Sequence, residues 1–353
     1  MFKKTSIGSC TLGLLITFNA LNANANCNNP IAKIASMQGS VHIQKSGNRN
    51  WLDAQIEDNL CPGDMLRTSR LSRATIVRPS GSGFDLDQNT TLTFNKSDKD
   101  AAVSKNWYLK LWQGLMYIRG KQPERYDVHT PFINAVHKGT EFLVAVDDSQ
   151  AEITVYDGLV SGENKLGQVD IKPGQKGVAS ATSAPRVQSI TVKPEDAVQW
   201  ALYYPPVIDT GNIAGVDPSL NPAITAYNQG NLMQALAELD NIPQSRQTPA
   251  YLTLKAGLLL TVGRVDEAQP LIAQAQQQQP HNPDALALQA IINVTKNRQQ
   301  QALDLANKAV TNNPNSTTAL IAQSYAQQSL FKLEDAILST TQATRLNPHN
   351  ALA

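Results

Sequence analysis

The chain has 353 residues, which is more than one ordinary hydrophobic core holds, so its length predicts two or more domains. Its 30 Lys and Arg residues nearly balance its 29 Asp and Glu residues. Nothing in this near-neutral balance suggests a nucleic-acid partner, because such a partner normally needs a concentrated basic face.

The first 25 residues have the organisation of a secretory signal peptide. Lys3 and Lys4 precede a mostly apolar run at residues 7–18, and Ala23-Asn24-Ala25 supplies a small-residue cleavage site. A buried N-terminal helix is the alternative, but the order of charge, apolar run and cleavage site favours the signal. Lipidation of Cys27 is disfavoured, because the Leu and the small residue expected before a lipidated Cys are missing.

Export determines the expected compartment and the state of the cysteines. We expect the mature chain in the periplasm, or associated with the outer membrane or cell surface. Cys10 leaves with the signal, and the oxidising compartment favours a disulfide between Cys27 and Cys61 over two free buried thiols. No other stretch approaches the roughly 18 apolar residues of a membrane span, so no transmembrane segment is expected in the mature chain.

Residues 26–190 have the pattern of an antiparallel all-β domain. Short runs of alternating apolar and polar residues, such as those at 41–44, 75–78 and 142–146, lie between clusters of turn residues such as 79–83. Such spacing is typical of a β-sandwich or barrel.

Residues 191–221 are predicted to connect two domains. A short helix at 194–204 can begin with Pro194 and end before Pro205-Pro206. The residues from 205 to 221 are rich in Pro, Gly, Asp and Asn, and predict a linker.

A period of 34 residues marks the remaining segment, residues 222–353. Four columns repeat with this spacing: Leu252, Leu286 and Leu320; Ala268, Ala302 and Ala336; Ala275, Ala309 and Ala343; and Pro280, Pro314 and Pro348. This is the period of stacked helix–turn–helix units. The alanines let paired helices approach closely, and each Pro stops the second helix. With a degenerate unit at 222–243, the segment holds about four units.

These columns resemble the tetratricopeptide repeat (TPR) family, although Asn297 and Phe331 stand where the turn glycine is usual. The resemblance implies an α-helical solenoid whose concave groove binds protein or peptide partners. The predicted partner-binding positions are Thr253, Gly257, Leu260, Asp284, Ala287, Ile291, Val294, Ile321, Tyr325 and Gln328. None of them is basic, so we expect apolar and amide contacts rather than a clamp on a carboxylate.

The β region resembles the FecR family. Matching stretches include Pro62-Gly63-Asp64, Val128-His129-Thr130-Pro131 and Val155-Tyr156-Asp157-Gly158, and the central motif residues are Thr130, Pro131, Lys138, Gly139, Thr140, Glu141 and Phe142. Lys138 replaces the usual Arg, which keeps the charge and loses the planar fork. The family includes periplasmic sensor portions of iron-uptake regulators that sit on a membrane-spanning helix. Since no such helix is predicted after the signal, only the fold and location are expected to carry over.

No catalytic or cofactor motif is present, so neither enzyme activity nor a cofactor is predicted. A metal site of His129, His137 and Glu141 is disfavoured, because a histidine spacing of eight matches no standard ligand motif. A catalytic role for Glu141 is disfavoured because no motif ties a second carboxylate to it. The aromatic residues Trp107, Tyr108 and Trp112 invite a sugar-stacking hypothesis, but core packing is favoured. On an alternating strand Tyr108 and Trp112 would share one face.

The favoured hypothesis is a non-catalytic exported envelope scaffold. It would bind envelope proteins or peptides in the TPR groove, and the FecR-like domain would be a second binding or sensing module. The alternative is a peptidoglycan-binding, glycan-binding or signal-sensing module, and a hydrolase with an unrecognised site ranks third.

The repeat array is also expected to continue past residue 353 or to pair with another surface. Pro348-His349-Asn350 repeats Pro280-His281-Asn282, the start of an earlier unit. Four residues of the last helix would then lack a following unit: Ile337, Thr340, Ala343 and Leu346.

Overall fold

The computed structural model describes residues 27, 29–96, 107–120, 127–137, 140–190, 198, 201–202 and 204–348. A β domain comes first and a helical array follows. The predicted signal peptide and most of the predicted helix at 194–204 lie outside the described residues.

The strands of the β domain are short except for β9. Their bounds are β1 Ala32–Gln38, β2 Val41–Gln44, β3 Leu52–Asp53, β4 Asn59–Leu60, β5 Met65–Thr68, β6 Arg73–Val77, β7 Gly83–Leu86, β8 Thr91–Lys96, β9 Trp107–Arg119, β10 Asp127–His129, β11 Asn134–His137, β12 Glu141–Val146, β13 Gln150–Asp157, β14 Val160–Asn164, β15 Gly167–Ile171, β16 Gln175–Ser180 and β17 Ser183–Ser189.

The strands form two sheets that share β9. The first sheet has the order β4-β1-β6-β7-β9-β12-β13-β16-β17. The second has the order β3-β2-β5-β8-β9-β10-β11-β14-β15. Among the described pairings only β9 with β10 is parallel, and neither sheet closes on itself. The predicted antiparallel β fold is therefore confirmed as an open sandwich rather than a barrel.

Strand β9 changes sheets at Gly114. Its first half pairs with β8 and β10, and its second half pairs with β7 and β12. Gly114 has φ +96°, and a Cβ there would lie 2.5 Å from the Cα of Thr90. Only glycine fits this combination of left-handed backbone and close approach.

One apolar core lies between the two sheets. Alternate residues of the first sheet, including Ile76, Phe84 and Phe142, are fully buried with Leu92 and Leu109 of the second. Burying each such side chain stabilises the fold by about 1.5–3 kcal/mol. The predicted disulfide is present near the start of the domain, where the Cα atoms of Cys27 and Cys61 are 6.0 Å apart.

The helical array consists of antiparallel hairpins, as the period predicted. The helices are α1 Thr210–Val216, α2 Asn221–Asn228, α3 Leu232–Asp240, α4 Pro249–Thr261, α5 Val265–Gln278, α6 Pro283–Thr295, α7 Gln299–Asn312, α8 Thr317–Ser329 and α9 Leu333–Leu346, with 3-10 turns at Pro218–Leu220 and Gln244–Arg246. Four hairpins result, α2/α3, α4/α5, α6/α7 and α8/α9. The segment 205–221, predicted as an irregular linker, contains α1.

Each hairpin repeats the same local signals. Thr248, Asn282 and Ser316 cap the first helices of three units by accepting a backbone N–H with their side-chain oxygens. The turn between paired helices needs a left-handed residue, and Asn297 and Phe331 occupy it with φ +57° and +58°. None of the helices in the described part of the chain is long and apolar enough to span a membrane.

The β domain contacts the array directly. Leu71 is buried in the core of the helices, and the Arg264 guanidinium lies 3.9 Å from the Asp87 carboxylate. Arg73 on β6 donates from Nη1 to the carbonyl of Leu202 at 2.6 Å and from Nη2 to the carbonyl of Thr261 at 3.4 Å.

Candidate functional site

Most of the predicted binding positions in the concave groove of the repeat array are buried. Six of its ten predicted binding positions are buried, namely Thr253, Gly257, Leu260, Ala287, Ile291 and Ile321. Asp284, Val294 and Tyr325 are partly exposed, and Gln328 is exposed. An outside partner can therefore reach fewer of these ten positions than the sequence predicts.

The chain's own connector explains part of this burial. We use the name connector for residues 204–217, which lead from the β domain into the array. Ile208 of the connector rests on Gly257 of α4, where an added Cβ would lie 2.8 Å from Ile208 Cγ1 and 2.9 Å from Cδ1. Ile208 and Ile213 enclose a small cavity together with groove residues Thr253, Asp284, Leu288 and Thr318. Because Gly257 has no side chain, Ile208 can pack directly against α4 at this position.

The segment before Ile208 is deeply buried. Tyr204 has no exposed surface and Val207 is 1% exposed. The Tyr204 hydroxyl lies close to Thr295 of α6, and burial raises its pKa to about 12. The amides of Val207 and Ile208 donate to the carbonyls of Pro205 and Pro206 at 2.8 and 2.7 Å. These tight turns satisfy the connector's own amides, so its side chains make the contacts with the groove.

Both ends of the connector are tied down. The carbonyl of Leu202, just before the connector, accepts the Arg73 hydrogen bond described above. At the far end, the Thr248 hydroxyl donates to Asp217 Oδ2 at 2.9 Å. The hydrogen bonds from Ser219 and Thr248 lower the pKa of Asp217. The connector is therefore fixed to the β domain at one end and to the start of α4 at the other.

The polar part of the groove is acidic. Asp284 has Asp209 of the connector as a charged neighbour, and its other partners are the hydroxyls of Ser316 and Thr318. Burial, followed by repulsion from Asp209, raises the pKa of Asp284 to about 6, despite these hydrogen bonds. Asp209 and Asp284 are thus neighbouring carboxylates in the groove. Asp217 lines the same cleft as Asp284.

Sequence analysis missed the connector's part in this site. Leu288 and Thr318 were not predicted to contribute, and neither were Tyr204 and Ile208. The available signal was the apolar run at 202–208, which is unusual in a solvated linker.

The FecR-type motif is mainly structural where it is described. Thr130 accepts from the amides of Phe132 and Ile133 and donates to the Ile133 carbonyl, so it shapes a turn. Thr140 and Phe142 are buried. Lys138 and Gly139 lie outside the described residues.

The Glu141 carboxylate is hydrogen-bonded to a tyrosine. It accepts a hydrogen bond from the Tyr117 hydroxyl, and burial together with this carboxylate raises the pKa of Tyr117 well above its usual value. Burial and the same carboxylate raise the pKa of Tyr156 to about 12. His129 stacks on Tyr108 with ring centroids 4.5 Å apart. The side chain of His137 lies outside the described residues, so the structure does not test the disfavoured metal set of His129, His137 and Glu141.

An aromatic strip follows the outer face of β9. Trp107 is buried, whereas Tyr108 and Trp112 point outward and Trp112 is 43% exposed. The Trp112 indole N–H donates to Thr93 at 2.8 Å, and Lys110 Nζ lies 3.5 Å from the ring centroid. The predicted division of these aromatics between two faces agrees with the structure.

The last described helix presents an apolar face. Ile337 is 64% and Leu346 42% exposed, Thr340 is partly exposed, and Ala343 is buried. The sequence predicted exposure of all four residues, and this is wrong for Ala343, which is buried in the helical core. The apolar face gives the array a second surface, separate from the groove.

The fold and its two surfaces define the class of protein. A FecR-like β sandwich is joined through a buried connector to a TPR solenoid. A family model described as FecR protein matches residues 64–161, and this part of the chain is a FecR-type domain. Among curated proteins, no relative matches the chain.

Solved structures show similarity to one module at a time. A protein from Parabacteroides distasonis described as an anti-sigma factor is 14% identical, and the match covers 40% of this chain and 66% of that one, with TM-score 0.33. A TPR protein of Thermus thermophilus is 19% identical over 38% of this chain and 76% of its own, with TM-score 0.34. The first TPR of Spaghetti (RPAP3), bound to an HSP90 peptide, is 25% identical over 30% of this chain and 84% of its own, with TM-score 0.27.

Proposed function

We propose that this protein is a non-catalytic, exported envelope scaffold that binds extended segments of partner proteins in the concave groove of its TPR array. The observation that carries this proposal is the connector, because apolar side chains of this segment already pack against groove residues. Ile208 on Gly257 and the buried Tyr204 are the kind of side-chain anchors that peptide recognition uses. The FecR-type domain would act as a second binding or sensing module.

An envelope location is part of this proposal. The disulfide between Cys27 and Cys61 is of the kind that persists in oxidising compartments. A periplasmic, outer-membrane or surface location is proposed on this ground and on the signal sequence. Fractionation of cells that produce the full chain tests it, and a cytoplasmic, thiol-reduced product would contradict it.

The partner test uses the open end of the groove. A photo-crosslinking residue replaces Tyr325 or Gln328 on α8, and the matched control carries it at Lys308, exposed on α7. We expect defined envelope proteins to be captured at the α8 positions and absent at position 308. A synthetic peptide from the captured partner should then bind the purified protein. Tyr325→Ala should weaken that binding at least threefold, and identical capture at all three positions would contradict the proposal.

Ile291 is unsuitable for this test. It is one of the predicted partner-binding positions, but its side chain is 1% exposed and belongs to the helical core. Ile291→Asp would bury a charge and unfold the array, so loss of binding would say nothing about the groove.

A glycan-binding role is the second candidate, and the outer face of β9 favours it. Tyr108 and Trp112 lie four residues apart on one face, about 13 Å along a strand, which matches a few sugar rings. Sedimentation with purified peptidoglycan tests this role. Trp112→Ala should reduce co-sedimentation at least threefold, whereas Val136→Ala, on the same sheet face, should leave it unchanged. Equal co-sedimentation of both variants would exclude the strip.

A further inference from the structure

We propose that the array has a second binding site, which takes an amphipathic helix of a partner protein against α8 and α9. The bound helix lies where the first helix of a further repeat would lie. The site is separate from the concave groove, so it goes beyond the function proposed above. It is a cleft of about 390 Å³, which we call the end cleft. Its lining includes Gln328 on α8 and Leu333, Ile337, Thr340, Thr341 and Thr344 on α9.

The preceding unit shows what fits such a cleft. Helix α8 packs against both α6 and α7. Gln299 Nε2 on α7 donates to the Ser329 carbonyl at 2.8 Å, and Gln323 Nε2 on α8 donates to Asn307 Oδ1 at 2.9 Å. Moving Gln299 and Asn307 forward by the 34-residue period gives two residues that line the end cleft. The end cleft therefore repeats the surface on which α8 lies, and continues an interface that the array already uses.

Burial on the second helix of each pair shows what a further helix would cover. Ala302 on α7 and its counterpart Ala336 on α9 are both buried. Leu303, the next residue on α7, is 6% exposed, whereas its counterpart Ile337 is 64% exposed. Helix α9 is thus packed within its own unit like α7. Within the described part of the chain, it lacks only the cover that α8 gives to α7.

The chemistry of the lining defines the occupant. Among the described residues that line the end cleft, none carries a charge. The hydroxyls of Thr340, Thr341 and Thr344 donate to backbone carbonyls one turn earlier in α9, so they need no acceptor from a ligand. Leu333 and Ile337 add aliphatic surface. A helix with small and aliphatic residues on one face and polar residues on the other fits this lining.

The occupant is assigned to another protein because the first helices of this chain are already used. Helices α2, α4, α6 and α8 each pair with the following helix of their own array. A second copy of the chain therefore has no spare first helix to offer to the end cleft.

A labelled peptide with the sequence of residues 315–330 is the probe, because this sequence forms α8 and already packs on the equivalent surface. Fluorescence anisotropy with the full mature chain should show saturable binding of this peptide and none of a scrambled peptide of the same composition. Ile337→Asp should weaken binding at least tenfold, because it places a charge in an uncharged cleft. Leu338→Asp is the matched control, since Leu338 is 69% exposed and outside the cleft lining, and it should change binding less than twofold.

Both variants should keep the wild-type circular dichroism spectrum, because both side chains are exposed. If Ile337→Asp alters the spectrum, Thr344→Asp replaces it as the cleft variant. Absence of saturable binding, or equal weakening by the cleft variant and the control, overturns the proposal.

A photo-crosslinking residue at position 337, with its control at position 338, then identifies the occupant in cells. We expect capture of a helix-forming, amphipathic segment of another protein at position 337 only. Capture of a second copy of this chain, of a segment of the same chain, or of nothing overturns the assignment to a partner helix.

Discussion

The packing contact between Ile208 and Gly257 can be tested through a double-mutant cycle. Gly257 lies in the middle of α4, where alanine is normally better than glycine by about 1 kcal/mol. In this protein the added methyl group would lie 2.8 and 2.9 Å from two atoms of Ile208. Overpacking of this kind costs about 1–3 kcal/mol. Gly257→Ala alone should therefore be neutral or destabilising by up to about 2 kcal/mol.

The sign should reverse once the connector side chain is shortened. Ile208→Ala removes the two atoms that approach the position of the new methyl group, Cγ1 and Cδ1. The next neighbour, Leu288 Cδ2, is at an ordinary contact distance of 3.7 Å. In the Ile208→Ala background, Gly257→Ala should stabilise by about 1 kcal/mol. The coupling free energy between the two sites is then at least about 1 kcal/mol, beyond the roughly 0.5 kcal/mol seen for independent sites.

Urea unfolding of the mature chain, followed by helical circular dichroism, measures all four corners of the cycle. Gly215→Ala in α1 provides the matched control, because nothing lies within 4 Å of its added Cβ. Its effect should be the same with Ile208 or Ala at position 208. If Gly257→Ala also changes stability equally in both backgrounds, the connector does not occupy the groove in solution and the argument fails.

Three further changes have expected outcomes. Phe331→Gly should raise stability by about 0.5–1 kcal/mol in the same urea assay, because relief of left-handed strain exceeds the entropic cost of glycine; a loss of stability would show that the exposed ring is held by contacts. Replacing Cys27 and Cys61 with Ser should cost about 3–4 kcal/mol, and two titratable thiols in the unreduced, denatured mature wild type would disprove the disulfide. Asp284 has a pKa raised from 3.8 to about 6, so its ionisation opposes folding and stability falls as pH rises through that range. The advantage of Asp284→Asn should accordingly be small at pH 4 and grow towards pH 7, and a constant difference across this range would contradict the raised pKa.

The repeat period was enough to predict the array, because each hairpin is a local unit that meets only its neighbours. The same period placed the turn, so that the exceptions Asn297 and Phe331 were recognisable before their left-handed backbone was known. Alternation likewise assigned Trp112 and Trp107 to opposite faces of β9. These features depend on contacts within a few residues or on one fixed spacing.

The occupied groove could not be predicted in that way. The contact between Ile208 and Gly257 is made between a segment outside the repeats and a helix almost fifty residues later in the chain. The sharing of β9 by two sheets is equally non-local, because alternation gives the face of a strand and not its partners. The sequence indicated both features only indirectly, through the apolar run at 202–208 and through Gly114.

Arg73 joins the two modules at the point where the connector begins. Its side chain is almost fully buried and reaches three elements, with Nε donating to Gln38 on β1 and the two terminal nitrogens donating to the carbonyls of Leu202 and Thr261. A buried guanidinium is costly unless its donors are satisfied, so each of these acceptors helps to hold it. Arg73 therefore links Gln38 of the FecR-type domain to Leu202 and to Thr261 of α4, so replacing it should weaken the contact between the two modules.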